Sequence, residues 1–245
     1  MKHLILSILL FGFIGVNAQN TPNANTILEK VDKNMSAKSQ IITAKMEINS
    51  ARATRTMEMK IWTVGDEKSF TEYLAPAREK GTKMLKLDKQ LWIYSPSTDR
   101  TIQISGHMLR QSVMGSDLSY EDMMTDKKMT DQYKAVVSGE ETVDGRPCWV
   151  LSLTATAPDV NYFSQKVWVD KERNVLLRAD LFAKSGKLLK QITFSEVIKV
   201  QDRWYPKVFL YKDALKDGKG TKMTITSIQL DTKIPENVFN KGNLK

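Results

Sequence analysis

The chain has 245 residues with one cysteine, and 37 lysines and arginines against 28 acidic residues give it a formal net charge of +9. This length is sufficient for one sizeable domain with its own core. A single cysteine excludes an internal disulfide, so Cys148 is expected to be buried and inert.

Residues 1–18 have the pattern of a cleavable secretory signal peptide. A basic start at Lys2 precedes a continuous apolar run over 4–16, and Val16-Asn17-Ala18 places the cut before Gln19. The run is too short to span a bilayer, and no cysteine follows the cut for lipid attachment. We therefore predict export to the periplasm. Export excludes nucleic acid as a partner, so the charge suits an anionic lipid surface or an acidic partner, with a solvated basic surface as the alternative.

A short amphipathic helix is predicted directly after the signal peptide. Asn23 or Asn25 can cap its start. Apolar residues then fall on one face at helical spacing, at Ile27, Leu28, Val31 and Met35. Such a stripe is typical of a helix that lies against a sheet.

Successive strands are predicted over about 41–105. Met57, Met59 and Ile61 alternate with polar residues, which is the period-two pattern of a half-buried strand. Turn-forming pairs such as Gly65-Asp66 interrupt the zone.

A second zone of strands covers about 133–232. Its strands are predicted at 146–155, 164–170, 175–182, 187–200, 203–213 and 221–230. Short polar turns such as Asp144-Gly145 join them without intervening helices. This arrangement indicates an antiparallel meander and disfavours a parallel sheet.

An insertion at about 106–132 separates the two zones and lacks strand alternation. Ser116 or Asp117 can cap a helical turn, and Ser119-x-x-Asp122 weakly resembles a capping box. A loop this long in a compact domain is usually functional or disordered, and its apolar content argues against disorder. We predict a mainly β (α+β) fold, in which the helix and this insertion cover one side of a large curved antiparallel sheet.

Groups able to perform catalysis are few. Once His3 leaves with the signal peptide, His107 is the remaining histidine, and it has no nucleophile elbow nearby. The sequence also lacks HExxH, CxxC and P-loop motifs. We therefore predict a protein that is not an enzyme and that carries neither a metal nor another cofactor.

One alternative is a soft-metal site for Cu(I). It would combine His107 with the methionines of the insertion, Met108, Met114, Met123, Met124 and Met129. Their spacing is irregular and the histidine is single, which favours methionine as an adaptable apolar surface instead.

The apolar residues indicate a cavity for a hydrophobic ligand. Ordinary core packing explains each aromatic residue taken singly. A curled sheet, a Met-rich insertion and the lack of catalytic groups together favour a cavity for acyl chains, whose burial gains about 0.8 kcal/mol per methylene. The predicted cavity lining is Trp62, Phe70, Trp92 and Tyr94. The predicted lid is Met108, Leu109, Arg110, Met114, Leu118, Tyr120 and Met123, in which Arg110 fixes the lid, meets a polar headgroup or has no role.

Residues 108–123, MLRQSVMGSDLSYEDM, closely resemble the GSD-(F/L)-SYEDL stretch of the LolA-like outer-membrane lipoprotein-sorting proteins. Residues 83–97, 167–171 and 234–239 resemble further parts of that family's pattern. The resemblance covers nearly all of 19–245, which we treat as a single domain.

The resemblance implies an incomplete antiparallel β-barrel that helices close around a hydrophobic cavity. It also implies a carrier that binds the acyl chains of a lipoprotein or lipid and delivers them toward the outer membrane. An inner-membrane transporter or exporter and an outer-membrane acceptor are the implied partners, and we predict a monomer. The long SYEDM insertion is not expected of the classical carrier, so the chain resembles a divergent branch. A sensor that detects lipid or lipoprotein and regulates a membrane partner is the alternative.

Overall fold

The computed structural model describes residues 22–51, 53–124, 127–157 and 160–245, so the predicted signal peptide lies outside the described residues. The first described element is helix α1, Ala24–Met35. The Asn23 carboxamide oxygen caps it by accepting hydrogen bonds from the backbone N–H groups of Asn25 at 2.8 Å and Thr26 at 3.4 Å. The predicted apolar stripe of α1 is confirmed, because its members are buried or pack against the core.

Thirteen strands of the described chain form one antiparallel sheet. They are β1 Ser39–Asn49, β2 Thr54–Val64, β3 Lys68–Ala75, β4 Lys83–Leu87, β5 Gln90–Ser95, β6 Arg100–Ile104, β7 Tyr133–Val143, β8 Arg146–Ala155, β9 Ser164–Asp170, β10 Leu176–Phe182, β11 Leu188–Val200, β12 Arg203–Asp213 and β13 Gly220–Leu230. The predicted meander is confirmed: sequence neighbours pair throughout each half, and β1 pairs with β13 to join the halves.

The two edges of the sheet are β6 and β7, which are consecutive in the sequence. The insertion, residues 106–132, connects them instead of a tight turn. It contains helices α2, Tyr120–Met124, and α3, Met129–Gln132, together with 3₁₀ turns at Gly106–Arg110 and Val113–Gly115. The sheet is therefore not closed into a barrel, which agrees with the predicted incomplete barrel.

Helix α1 and the insertion cover the same face of the sheet, which we call the inner face. Ile27, Leu28 and Val31 of α1 belong to a cluster that includes Ile225 of β13, which we call the helix-side cluster. Side chains of the insertion belong to a second cluster that includes Ala44 of β1, which we call the insertion-side cluster. Ala44 and Ile225 are cross-strand partners, so both clusters lie on one face.

Trp62, Phe70, Trp92 and Tyr94, which were predicted to line the cavity, do not lie on the inner face. All four belong to a separate cluster on the opposite face, where the C-terminal segment 234–244 covers them. That segment contributes 3₁₀ turns at Glu236–Phe239 and Lys241–Leu244.

Strand alternation explains this placement. The neighbours Ile61 and Ile93 belong to the insertion-side cluster, so Trp62 and Trp92 must point the other way. Trp62 and Phe70 are cross-strand partners with ring centroids 5.8 Å apart, and the Lys241 ammonium lies 3.7 Å from the centroid of the Trp92 ring. These aromatics form a second core between the sheet and the C-terminal turns.

The opposite face also holds the end of β9 in place through a buried carboxylate. Asp170 is fully buried and accepts hydrogen bonds from the Arg146 guanidinium at 2.8 and 3.1 Å. The backbone N–H groups of Glu172 and Arg173 donate to it at 2.9 and 3.0 Å. The VWVDK segment, residues 167–171, therefore supplies the residue that fixes the β9–β10 turn.

The lone cysteine lies on the same face as Trp168. Cys148 is fully buried, as predicted, and its pKa is raised by burial and by the nearby Asp170 carboxylate.

Among the described residues, no helix has the length and hydrophobicity required to cross a membrane.

Candidate functional site

A cavity of about 280 Å³ lies between the insertion and the inner face of the second half of the sheet. Its volume is just below the ~300–1,000 Å³ range of ligand pockets. Its apolar wall comes from the insertion and from β7, β10, β11 and β12, with side chains that include Leu118, Met129, Tyr133, Ala179, Leu181, Ile192, Phe194 and Tyr211. The wall is therefore suited to a hydrophobic chain.

A second cavity, of about 600 Å³, adjoins the first at the C-terminal end of α1. The two share Lys127, Met129 and Leu176 in their walls. The second cavity is more polar, with Asp32 and Asp66 in its lining. The molecule thus contains an apolar space that continues into a wider, polar one.

A buried polar cluster lies in the wall of the smaller cavity. The Lys190 ammonium of β11 forms a salt bridge with the Asp122 carboxylate of α2, and both side chains are largely buried. The Tyr162 hydroxyl donates to the same carboxylate at 2.6 Å, and the Ser119 backbone N–H donates to it at 2.7 Å.

The pKa values of this cluster follow from its contacts. Burial by itself would raise the pKa of Asp122, but the charge and hydrogen bond of Lys190 and the hydrogen bond of Tyr162 lower it overall. The pKa of Tyr162 is raised, first by burial and then by the adjacent Asp122 charge. Asp122 is therefore a carboxylate and Tyr162 a neutral donor at neutral pH.

The predicted lid residues do not all reach the cavity. Of these seven, Leu118 lines it, whereas Met108, Leu109, Met114, Tyr120 and Met123 pack in the insertion-side cluster. Arg110 is exposed on the first 3₁₀ turn. The insertion therefore covers the inner face of the first half of the sheet with most of its apolar residues and borders the cavity with the remainder.

The methionines considered for a soft-metal site are divided between two clusters. Met108, Met114, Met123 and Met124 pack in the insertion-side cluster, whereas Met129 packs against the helix-side cluster. His107 is exposed. Within the described part of the chain, no group of three or more His, Cys, Asp or Glu side chains could hold a metal ion.

Solved structures of other proteins share this architecture. A DUF1329 family protein from Desulfovibrio piger is 26% identical with a TM-score of 0.82, over 90% of this chain and 97% of that chain. A putative outer membrane lipoprotein-sorting protein domain from Vibrio parahaemolyticus is 25% identical with a TM-score of 0.76, over 90% and 97% of the two chains. A LolA superfamily protein from Nitrosomonas europaea, 24% identical with a TM-score of 0.74 over 90% and 99%, has the same fold.

A family model described as that of an uncharacterized protein matches residues 65–245, which is most of the chain. The chain belongs to the family of this model, and it shares the LolA-like fold of these solved structures. The resemblance found in the sequence is thereby confirmed. The sequence matches no curated protein.

In this LolA-like protein, the GSDLSYEDM motif anchors the insertion to the sheet. The Asp117 carboxylate accepts hydrogen bonds from the Thr221 hydroxyl at 2.7 Å and from the Asp213 backbone N–H at 3.0 Å. The Asp117 N–H in turn donates to the Thr221 hydroxyl at 2.9 Å. The Lys216 ammonium donates to the Ser116 carbonyl oxygen at 2.6 Å. The motif therefore attaches the insertion to β12, β13 and the turn between them.

The predicted capping box is confirmed at the start of α2. The Ser119 hydroxyl accepts from the Asp122 N–H at 3.2 Å, while the Asp122 carboxylate accepts from the Ser119 N–H. Asp122 thus both caps its own helix and pairs with Lys190 on the sheet.

Two polar residues of this LolA-like protein were not identified from the sequence. Lys190 alternates with Ile192 and Phe194 on the inner face of β11, and a lysine at an apolar position of a strand is the signal that could have found it. Asp32 lies next to the buried Val31 in α1. Its carboxylate accepts from the backbone N–H groups of Met129 and Thr130 at 3.0 and 3.1 Å, and so fixes α1 to α3.

Proposed function

We propose that this LolA-like protein is a periplasmic carrier that binds the acyl chains of a lipoprotein or lipid and delivers them toward the outer membrane. The apolar cavity between the insertion and the sheet supports this proposal most directly. Burial of each methylene in such a cavity gains about 0.8 kcal/mol. The description of the Vibrio relative as a putative outer membrane lipoprotein-sorting protein domain supports the class of cargo.

Loading of a long chain requires the insertion to move. The apolar cavity holds about 280 Å³, and apolar side chains of α1 and the insertion pack on the inner face on either side of it. Displacement of the insertion would expose both the apolar wall near Ile192 and the methionines of the insertion-side cluster. Methionine suits this task because its flexible side chain adapts to ligands of different shape.

The remaining parts of the proposal concern location and partners. A signal peptide at residues 1–18, cleaved before Gln19, would place the protein in the periplasm. An inner-membrane transporter or exporter would supply the cargo, and an outer-membrane acceptor would receive it. We propose a monomer with no enzymatic activity of its own.

A substitution that narrows the cavity without adding a charge tests whether the cavity binds the acyl chain. Ile192 lies in the cavity wall, so Ile192→Trp fills the space that an acyl chain would occupy. We expect at least a tenfold loss of affinity for a fluorescent apolar probe, measured by titration. Ile198→Trp is the matched control, since Ile198 lies on the same strand and is absent from the cavity wall.

Equal probe affinity in Ile192→Trp, Ile198→Trp and the wild type would contradict the proposed binding site. Circular dichroism of both variants verifies that the sheet has folded. A loss restricted to Ile192→Trp supports the cavity as the site that holds the chain.

A further inference from the structure

Lys190 occupies an unusual position for a lysine. It is 5% exposed and lies on the inner face of β11, in the wall of an otherwise largely apolar cavity. Burial of an ammonium group costs several kcal/mol unless an anion pairs with it. The position therefore requires a negatively charged partner in the cavity wall.

That partner comes from the insertion and not from the sheet. Asp122 of α2 pairs with Lys190, and the two residues are 68 positions apart in the sequence. Asp213 lies opposite Lys190 on β12, but its side chain accepts from the Leu215 N–H at 2.9 Å and lies 3.7 Å from the Lys216 ammonium. The charge on Lys190 is thus balanced by the element that must move for loading.

The two members of the pair differ in what they retain when the insertion moves. Asp122 keeps its hydrogen bond from the Ser119 N–H, because both residues belong to the insertion. Lys190 remains on the sheet beside Tyr162, whose hydroxyl also donates to Asp122. Movement of the insertion would therefore leave two donors, an ammonium and a hydroxyl, without the carboxylate that pairs with them.

We propose that Lys190 binds the headgroup of a single-chain anionic amphiphile, which replaces Asp122 on the ammonium while its chain lies along Ile192 and Phe194. This inference rests on the proposed function and narrows its cargo. A carboxylate or a phosphate monoester accepts from both Lys190 and Tyr162 and supplies negative charge to the buried ammonium. The exchange also releases the insertion from β11, so binding of the headgroup and opening of the insertion are the same event.

The exchange discriminates against neutral cargo. An alcohol, or the ester- and amide-linked chains of a lipoprotein, would displace Asp122 without supplying an anion. The Lys190 ammonium would then stay buried and unpaired, which is the usual source of selectivity at buried polar sites. The site therefore favours an anionic lipid over a lipoprotein.

The test compares three ligands that share one chain: dodecanoate, dodecyl phosphate and dodecanol, each below its micelle concentration. Isothermal titration calorimetry on the full chain measures the ratio of anionic to neutral affinity. For the wild type we expect a ratio of about ten, because the free energy of one charge-assisted hydrogen bond corresponds to an affinity change of about this size. A preference for dodecanoate over dodecyl phosphate, or the reverse, identifies the headgroup.

Three variants isolate the role of Lys190. Asp122→Asn removes the carboxylate that each ligand must displace, so it should raise the affinity for dodecanoate and dodecyl phosphate about tenfold and should not lower the ratio. The double variant Asp122→Asn/Lys190→Met removes both charges, so no buried charge is left unpaired, and should lower the ratio to about one. Lys134→Met is the control for net charge, because Lys134 is an exposed lysine of β7, and should keep the wild-type ratio.

Equal ratios in the wild type, Asp122→Asn and the double variant would overturn the assignment of Lys190 while leaving the acyl cavity intact. If none of the three ligands binds the wild type or any variant, both the assignment and the proposed function would be overturned. Loss of anion preference in Lys134→Met as well would show a nonspecific effect of charge and would also overturn the assignment.

Discussion

At the scale of single residues, a small number of buried carboxylates hold turns and helix starts to neighbouring strands. Asp170 on the opposite face and Asp122 on the inner face are both carboxylates with several donors around them. Each holds a turn or a helix start to a neighbouring strand. Removal of one donor or acceptor from such a group costs more than a surface salt bridge, because the remaining partners stay buried without a match.

Asp170→Asn should lower the free energy of unfolding by about 3 kcal/mol, because Arg146 and Arg173 lose a fully buried carboxylate. Urea unfolding followed by tryptophan fluorescence measures the change. Glu172→Gln is the matched control, since Glu172 pairs with the same Arg146 but is largely exposed. An equal effect of both substitutions would contradict the account.

The same residue predicts a pH dependence. Burial would raise the pKa of Asp170, but the hydrogen bonds from Arg146, Arg173 and Glu172 lower it to about 2. A carboxylate with a lowered pKa in the folded state stabilises the protein above its ordinary pKa near 4, and this contribution is lost as the pH falls toward 2. Unfolding measured between pH 5 and pH 2 should therefore show a steeper loss of stability in the wild type than in Asp170→Asn. Parallel curves would contradict this pKa.

At the scale of elements, the insertion is an attached cover with defined polar anchors. Its apolar residues pack on the first half of the sheet, while Asp117 and Asp122 bind the second half. The sequence predicts this segment as a weakly capped lid, and the anchors were not visible in it because Thr221 and Lys190 are distant in the chain. Only folding brings a motif of this kind to its partners.

Thr221→Val should loosen the insertion without unfolding the sheet. The substitution leaves the buried Asp117 carboxylate without its hydroxyl donor, which costs about 2 kcal/mol. Amide hydrogen exchange over residues 111–120 should accelerate roughly thirtyfold. Thr226→Val, an exposed position of the same strand, is the control. Unchanged exchange in Thr221→Val would contradict the anchoring role of Asp117.

Strand positions were predictable from the sequence, whereas strand faces were not. Residues 146–155 and 164–170 are strands with the predicted bounds, because alternating side chains and polar turns mark both ends. In residues 91–94 both faces are apolar, so alternation could not distinguish inner from outer. The deciding contact is the C-terminal segment that covers Trp92, a long-range packing event with no local signal.

At the scale of the whole molecule, the chain order explains why the insertion lies between the two edges of the sheet. The edge strands β6 and β7 are neighbours in the sequence, and the insertion connects them in place of a direct pairing. The same segment therefore keeps the sheet open, covers its inner face and borders the cavity. Charge exchange at Lys190 is the proposed means by which this segment responds to cargo.

Native mass spectrometry, with lipid extraction, of the protein purified from its own envelope tests directly whether the cavity carries acyl chains. We expect a stoichiometric acylated species that co-purifies with the wild type and is lost from Ile192→Trp. A protein that is purified empty, and that stays empty after incubation with lipids and lipoproteins, would contradict the proposal that its cavity carries acyl chains.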